Sequence, residues 1–256
     1  MKQLTLLSVI LCVLGARAAP DRTPRIINGQ TAAHQPYNAY IVYTRADGYG
    51  YFGGGTIISD RHILTAALNI LGFIRWDVGV GSNILSQLGT VTSNTATSHP
   101  SFNSATRAND IGVITLPVSL VITSSVAPIA LPPLNQQLGY PFENEQGSVV
   151  GFGFTDVAAT VRPSYLMRAY QRVTTNARCQ QYYQITLPLH FCAEDASGYA
   201  NICNGDIGAG FITEVNGVQT VTGVASMITQ SCGYLFPAGY TRVESYRSWI
   251  YSITLV

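Results

Sequence analysis

The chain has 256 residues, 47% of them hydrophobic, 11% charged and 24 of them glycine. That length and apolar content can bury a large core as one or two domains, and the mix does not suit a disordered chain or a coiled coil. From Ile26 onward 10 arginines stand against 12 acids, a net charge of −2 with no basic run, which argues against binding to nucleic acid or polyanions.

The first segment reads as a targeting signal. Lys2 supplies positive charge, Leu4 to Leu14 is mostly apolar, and Ala16-Arg17-Ala18 has the small-x-small form of a signal-peptidase site. The apolar run is too short to span a bilayer, and no later stretch approaches the roughly 20 apolar residues that a spanning helix needs. Residues 1–18 are therefore expected to be removed and the rest secreted, with no membrane attachment. A short membrane anchor is the competing reading. Cys12 leaves with the signal. The four cysteines that stay, Cys179, Cys192, Cys203 and Cys232, predict two disulfides, with three pairings open.

Residues 19–25 form a short polar stretch holding Pro20 and Pro24, and residues 26–256 form the body. The body is a series of short apolar or alternating runs broken by Gly, Pro, Asn and Ser. Tyr40-Ile41-Val42-Tyr43, Ile111 to Leu116, Ser148-Val149-Val150 and Val218 to Val224 are examples. Such spacing predicts an all-β barrel or sandwich. Leu131-Pro132-Pro133 is a natural connection between two halves. Only the tail, Glu244 to Leu255, has helical spacing, with Tyr246, Ile250 and Ile253 able to share a face. Periodicity carries no function.

Several segments in chain order resemble the chymotrypsin/trypsin family. Arg25-Ile26-Ile27-Asn28-Gly29 resembles its zymogen cleavage site. Gly54-Gly55-Thr56-Ile57-Ile58 followed by Leu64-Thr65-Ala66-Ala67 resembles the strands leading to the catalytic histidine. His99-Pro100-Ser101-Phe102 and then Asn109 to Leu116 resemble the segment bearing the catalytic aspartate. Cys203-Asn204-Gly205-Asp206-Ile207-Gly208 resembles the nucleophile loop, and Gly239-Tyr240-Thr241-Arg242-Val243 precedes a C-terminal helix as in the family. The resemblance covers nearly everything from Ile26 onward. It implies an all-β fold of two packed six-stranded antiparallel barrels with a C-terminal helix and a cleft between the barrels. It also implies the pairings Cys179–Cys192 and Cys203–Cys232, and a residue 19–25 propeptide. A further family bridge is missing on both sides, where Gly53 and Asn69 stand, so that corner of the cleft is expected to be looser.

Peptide hydrolysis on such a fold needs a serine to attack, a histidine to carry the proton and an aspartate to orient the histidine. By the resemblance the histidine position reads Leu68 and the serine position reads Ile207, and only Asp110 is retained. A leucine has no lone pair to accept a proton, and an isoleucine has no atom that can attack. His34, His62, His99 and His190 are the only histidines, and each reads as structural or solvated rather than as a stand-in. The family's charge-selecting position at the pocket base reads Asn201, and the two pocket-wall glycines read Ile228 and Ala238. Asp110 is expected to be hydrogen-bonded in the cleft, with Ser226 as a partner. Arg25 and Ile26 still resemble a cleavable activation site, and Asp206 stands where the family pairs an aspartate with the freed amine of Ile26.

The resemblance thus implies a secreted, non-catalytic serine protease homologue that binds other secreted proteins. Proteases, their inhibitors or proteins of a proteolytic cascade are the partners implied, and a decoy, cofactor or inhibitor role follows. A weakly active serine-type hydrolase and a bulk secretory protein without a specific partner are the alternatives. No metal or other cofactor is expected: the histidines are scattered, and Asp77 is the only acid between Leu71 and Leu85, where the family can hold calcium. No Asn-x-Ser/Thr sequon is present.

Overall fold

The computed structural model describes residues 29–156, 158–185, 188–195, 200–229, 232 and 235–256. The signal segment, the propeptide, Arg25 and Ile26 lie outside them.

The first half of the chain builds one antiparallel sheet. Its strands are β2 (Asn38–Thr44), β3 (Gly50–Ile57), β4 (His62–Thr65), β5 (Arg75–Val80), β6 (Gly89–Ser93), β7 (Ala96–Ser98) and β8 (Gly112–Thr115), and its order is β6-β5-β2-β3-β4-β8-β7. Strand β2 shows why it pairs as it does. Ala39, Ile41 and Tyr43 alternate inward and are buried, while Tyr40, Val42 and Thr44 point the other way and are partly exposed. The inward set meets Ile57, Ile63, Trp76, Val78 and Ile114, so the sheet curls around its own core.

The second half closes completely. Its strands are β9 (Gln146–Gly151), β10 (Met167–Val173), β11 (His190–Glu194), β12 (Gly210–Val215), β13 (Val218–Met227) and β14 (Ala238–Arg242). They run in the order β10-β11-β14-β13-β12-β9, and β9 pairs back onto β10 from Gln146↔Arg172 to Gly151↔Met167. A two-residue strand from the start of the body, β1 (Gln30–Thr31), adds to β10. The barrel is filled by Val149, Phe191, Phe211 and Tyr240, with the Phe191 and Tyr240 rings stacked 5.2 Å apart. A short helix, α1 (Asn176–Gln180), is capped by Thr175, whose side chain accepts the Arg178 N–H.

The two halves are not separate in energy. One further cluster lies between them and takes Leu64 and Ile111 from the first sheet side, and Val150, Phe152, Leu166 and Ile207 from the second. The predicted C-terminal helix is present as a tight turn, Val243–Tyr246, running into α2 (Arg247–Thr254). Tyr246 and Ile250 are buried in the same shared cluster, with Ile253 packed on it, so the predicted face is the face used. Arg247 Nε donates to the Pro132 carbonyl at 2.5 Å, which ties the end of the chain to the connection between the halves. The disulfides are Cys179–Cys192 and Cys203–Cys232. Among the described residues no helix is long and apolar enough to cross a membrane.

Candidate functional site

The cleft between the halves is assembled from three local structures. The first is a single turn of 3₁₀ helix, Ala67–Asn69, that follows β4 and carries Leu68. The second is the segment entering β8, which carries Asp110. The third is the loop between Cys203 and β12, which carries Ile207. This loop turns tightly because Gly208 adopts φ 92°; a Cβ there would lie 2.3 Å from Thr65 Oγ1 and 2.4 Å from the Gly54 carbonyl oxygen.

Leu68 and Ile207 both line the cavity, and both pack on the cluster shared by the halves. Asp110 sits behind them, fully buried. Its Oδ1 accepts the Leu68 backbone N–H at 2.9 Å, and its Oδ2 accepts the Ser226 hydroxyl at 2.6 Å. Its own carbonyl accepts Thr241 Oγ1 at 2.9 Å. Burial pushes the Asp110 carboxyl above the usual range, while the Ser226 hydroxyl, the Leu68 N–H and the positive charge of Arg107 hold it down.

The corner expected to be looser is cross-linked by hydrogen bonds. Asn69 is fully buried, and its amide donates to Thr65 Oγ1 at 3.0 Å and to the Ile207 carbonyl at 2.8 Å. The Gly54 N–H donates to the same carbonyl at 2.9 Å, and Trp76 Nε1 donates to the Asn69 carbonyl at 2.8 Å. Gly53 leaves room for this amide, since a Cβ there would fall 2.7 Å from Asn69 Nδ2. The sequence identifies the missing bridge but not its substitute. Asn69 and Ile207 are 138 positions apart, and nothing local marks them as partners.

Asp206 is also fully buried. Its two oxygens accept the Gly153 N–H at 2.9 Å and the Cys203 N–H at 3.0 Å. Gly153 and Gly151 admit the carboxylate, because a Cβ on either would lie within 2.4 Å of it. Burial pushes the Asp206 carboxyl up to about 6 against the pull of those two N–H groups. The residues expected to work with it, Arg25 and Ile26, lie outside the described residues.

The remnant pocket residues separate. Ile228 lines the cavity together with Ser226 and Met227. Asn201 and Ala238 do not line it; both are buried, Ala238 in the barrel core. The Asn201 amide donates to the Phe236 carbonyl at 2.8 Å, and its oxygen accepts from Gln171 Nε2 at 3.0 Å and from the Ile202 N–H at 2.9 Å. Gln171 in turn accepts the Tyr240 hydroxyl.

None of the histidines lines this cavity. His62 bonds Ser59 Oγ through Nδ1 at 2.9 Å, and His34 Nε2 lies 2.7 Å from the Ser125 carbonyl. His99 packs edge-on against Tyr246 and beside Trp249. Burial lowers the basicity of both His62 and His99. His190 is fully buried with Nε2 3.0 Å from the Arg107 carbonyl oxygen. Arg107 itself, which the motifs do not single out, lines the cavity and is the one charged side chain to do so among the described residues.

Against known proteins, the profile described as Trypsin matches residues 26–250. A chymotrypsin from Phaedon cochleariae is 30% identical over 236 residues, covering 90% of this chain and 82% of that protein. A collagenase from Hypoderma lineatum is 32% identical over 235 residues, covering 90% and 87%. A brachyurin from Leptuca pugilator is 30% identical over 211 residues, covering 80% and 88%. Among solved structures, one titled as HL collagenase superposes with a TM-score of 0.80 at 30% identity, covering 90% of this chain and 99% of that one.

Proposed function

This chain belongs to the trypsin family of serine proteases, and from that starting point we propose that it is a secreted member that binds other proteins without cutting them. One observation carries the reading. The side chains that line the cleft at positions 68 and 207, Leu68 and Ile207, are saturated hydrocarbon, and the Asp110 carboxylate is engaged by the Leu68 N–H and the Ser226 hydroxyl.

The chemistry supports it directly. An aliphatic carbon neither accepts a proton nor attacks a carbonyl. In a serine protease with the three-group machinery, removing the serine or the histidine costs about 10⁶ in turnover, or about 8 kcal/mol of barrier. Secretion is supported by the signal-like first segment and by the two disulfides, which suit an oxidising compartment. A scaffold of a closed barrel and a curled sheet with loops around a cleft suits recognition, and a decoy, cofactor or inhibitor role among proteases would use the shared shape.

The test is covalent labelling with a fluorophosphonate, alongside hydrolysis of a broad peptide library, on the purified chain cut after Arg25. No labelling and no turnover above buffer are expected. Labelling that approaches one probe per chain would end the proposal and establish a displaced nucleophile. The double variant Leu68→His/Ile207→Ser is expected to stay far below a working relative, since Ile228 still fills the cavity wall.

A further inference from the structure

We propose that the cleft cavity receives an acidic side chain of a polypeptide partner and that Arg107 is its counter-charge, an inference that rests on the binding role above. The cavity measures about 360 Å³, within the range of cavities that hold small groups. Its wall is apolar at Leu68, Ile207, Met227 and Ile228, and among the described residues Arg107 is the only charged side chain in it.

Arg107 has unused capacity. Its Nη1 has no acceptor among the described residues and is shielded in this rotamer, so the side chain would have to turn to offer that nitrogen to a ligand. A guanidinium nitrogen taken out of water without a partner is unfavourable, and a carboxylate is the acceptor that matches it best, through short paired N–H···O bonds. Asp110 is close enough for the two charges to interact, yet its oxygens accept from the Leu68 N–H and the Ser226 hydroxyl. Asp110 therefore does not take up the guanidinium N–H groups.

The backbone also holds this residue in place. Arg107 has φ 59°, a left-handed conformation that is unfavourable for a non-glycine residue. His190 Nε2, from the fully buried side chain at the start of β11, lies 3.0 Å from its carbonyl oxygen and anchors the strained position. The amide side chains of Asn204 and Gln184 line the same cavity and can add donors to a bound carboxylate. Tyr183 cannot, because its hydroxyl donates to the Pro237 carbonyl at 2.7 Å. The apolar wall would take the methylenes of a glutamate or a neighbouring apolar residue. The occupant is thus a short segment pairing an acid with an apolar side chain. The chain's net charge of −2 beyond Ile26 gives no long-range attraction for such a segment, so the selectivity is local.

The experiment uses the full chain cut after Arg25 and a library of blocked peptides, random except at one position that holds either Glu or Gln. Bound peptides are recovered and sequenced. Glu is expected to outnumber Gln by about tenfold or more, as for a hydrogen bond to a charged group. Arg107→Gln should abolish the preference and Arg107→Lys should keep part of it, with each variant first shown to melt as the parent does. Peptides bound with equal Glu and Gln would overturn this inference and leave the binding role standing. A preference that survives in Arg107→Gln would overturn the part given to Arg107. Failure to recover any peptide would overturn the inference and count against the binding role as well.

Discussion

Asp110 is the residue whose surroundings say most about the cleft. A carboxylate in a working triad offers an oxygen to a histidine, whereas here the oxygens accept a backbone N–H and a serine hydroxyl. Ser226→Ala would leave Oδ2 buried without that donor. A hydrogen bond to a charged group contributes about 1.5–3 kcal/mol, so the variant is expected to lose roughly that much and to melt several degrees lower. Thermal unfolding followed by circular dichroism would check it. A melting temperature equal to the parent's would mean that Asp110 has no need of Ser226. That Asp110 would meet Ser226 was legible from the sequence, because both fall in segments whose order and spacing match a known family. Arg107 was not legible, because its meaning depends on a cavity wall formed by residues 68, 204, 207 and 228 that come together only in three dimensions.

At the scale of elements, period-two alternation and turn residues were enough to anticipate strands at Tyr40–Tyr43, Ser148–Val150 and Val218–Val224, which lie within β2, β9 and β13. The helical face of the tail was readable for the same reason, since one apolar stripe has one place to go. The link between β3 and the turn after β4 was not, because an asparagine amide can satisfy several partners and sequence does not choose among them. That link makes a prediction. Gly53 and the Asn69 side chain are in contact distance, so Gly53→Cys/Asn69→Cys should oxidise to a bridge. Closing a loop of that length contributes about 3 kcal/mol in the chain-entropy view, less what is lost with the Asn69 bond to Ile207. Mass spectrometry after thiol alkylation would show the bridge, and melting with and without reductant would show its effect. Two free thiols under oxidising conditions would refute the spatial equivalence.

For the whole molecule, the proposed cleavage after Arg25 carries a prediction about stability. While that bond is intact there is no Ile26 amine, and among the described residues Asp206 has the Gly153 and Cys203 N–H groups to offset its burial. Its carboxyl, pushed up to about 6 from 3.8, binds a proton more tightly in the folded than in the unfolded chain. Folded stability should therefore be greatest below about pH 4 as far as this group is concerned, and should fall as pH rises through 6. The span corresponds to about 3 kcal/mol. Buried Asp110, also pushed upward, contributes with the same sign. Cleavage would supply a cation that can pair with Asp206 and lower its carboxyl. Urea unfolding at pH 5 and pH 7 is expected to show the uncut chain weaker at pH 7 and the cut chain with a flatter profile. Identical profiles for both forms would mean that the new amine never reaches Asp206.

The stitching around Asp110 has a bearing on how this gene can drift. Leu68 contributes a main-chain donor from one half of the molecule, while Ser226 and Thr241 contribute hydroxyl donors from the other. At positions 68 and 207 another oily residue of similar bulk would be absorbed with little consequence. At 110 a change of chemistry would strand two of those donors in the seam. The carboxylate thus serves as mortar between the halves, and mutational tolerance should be lopsided across the three positions.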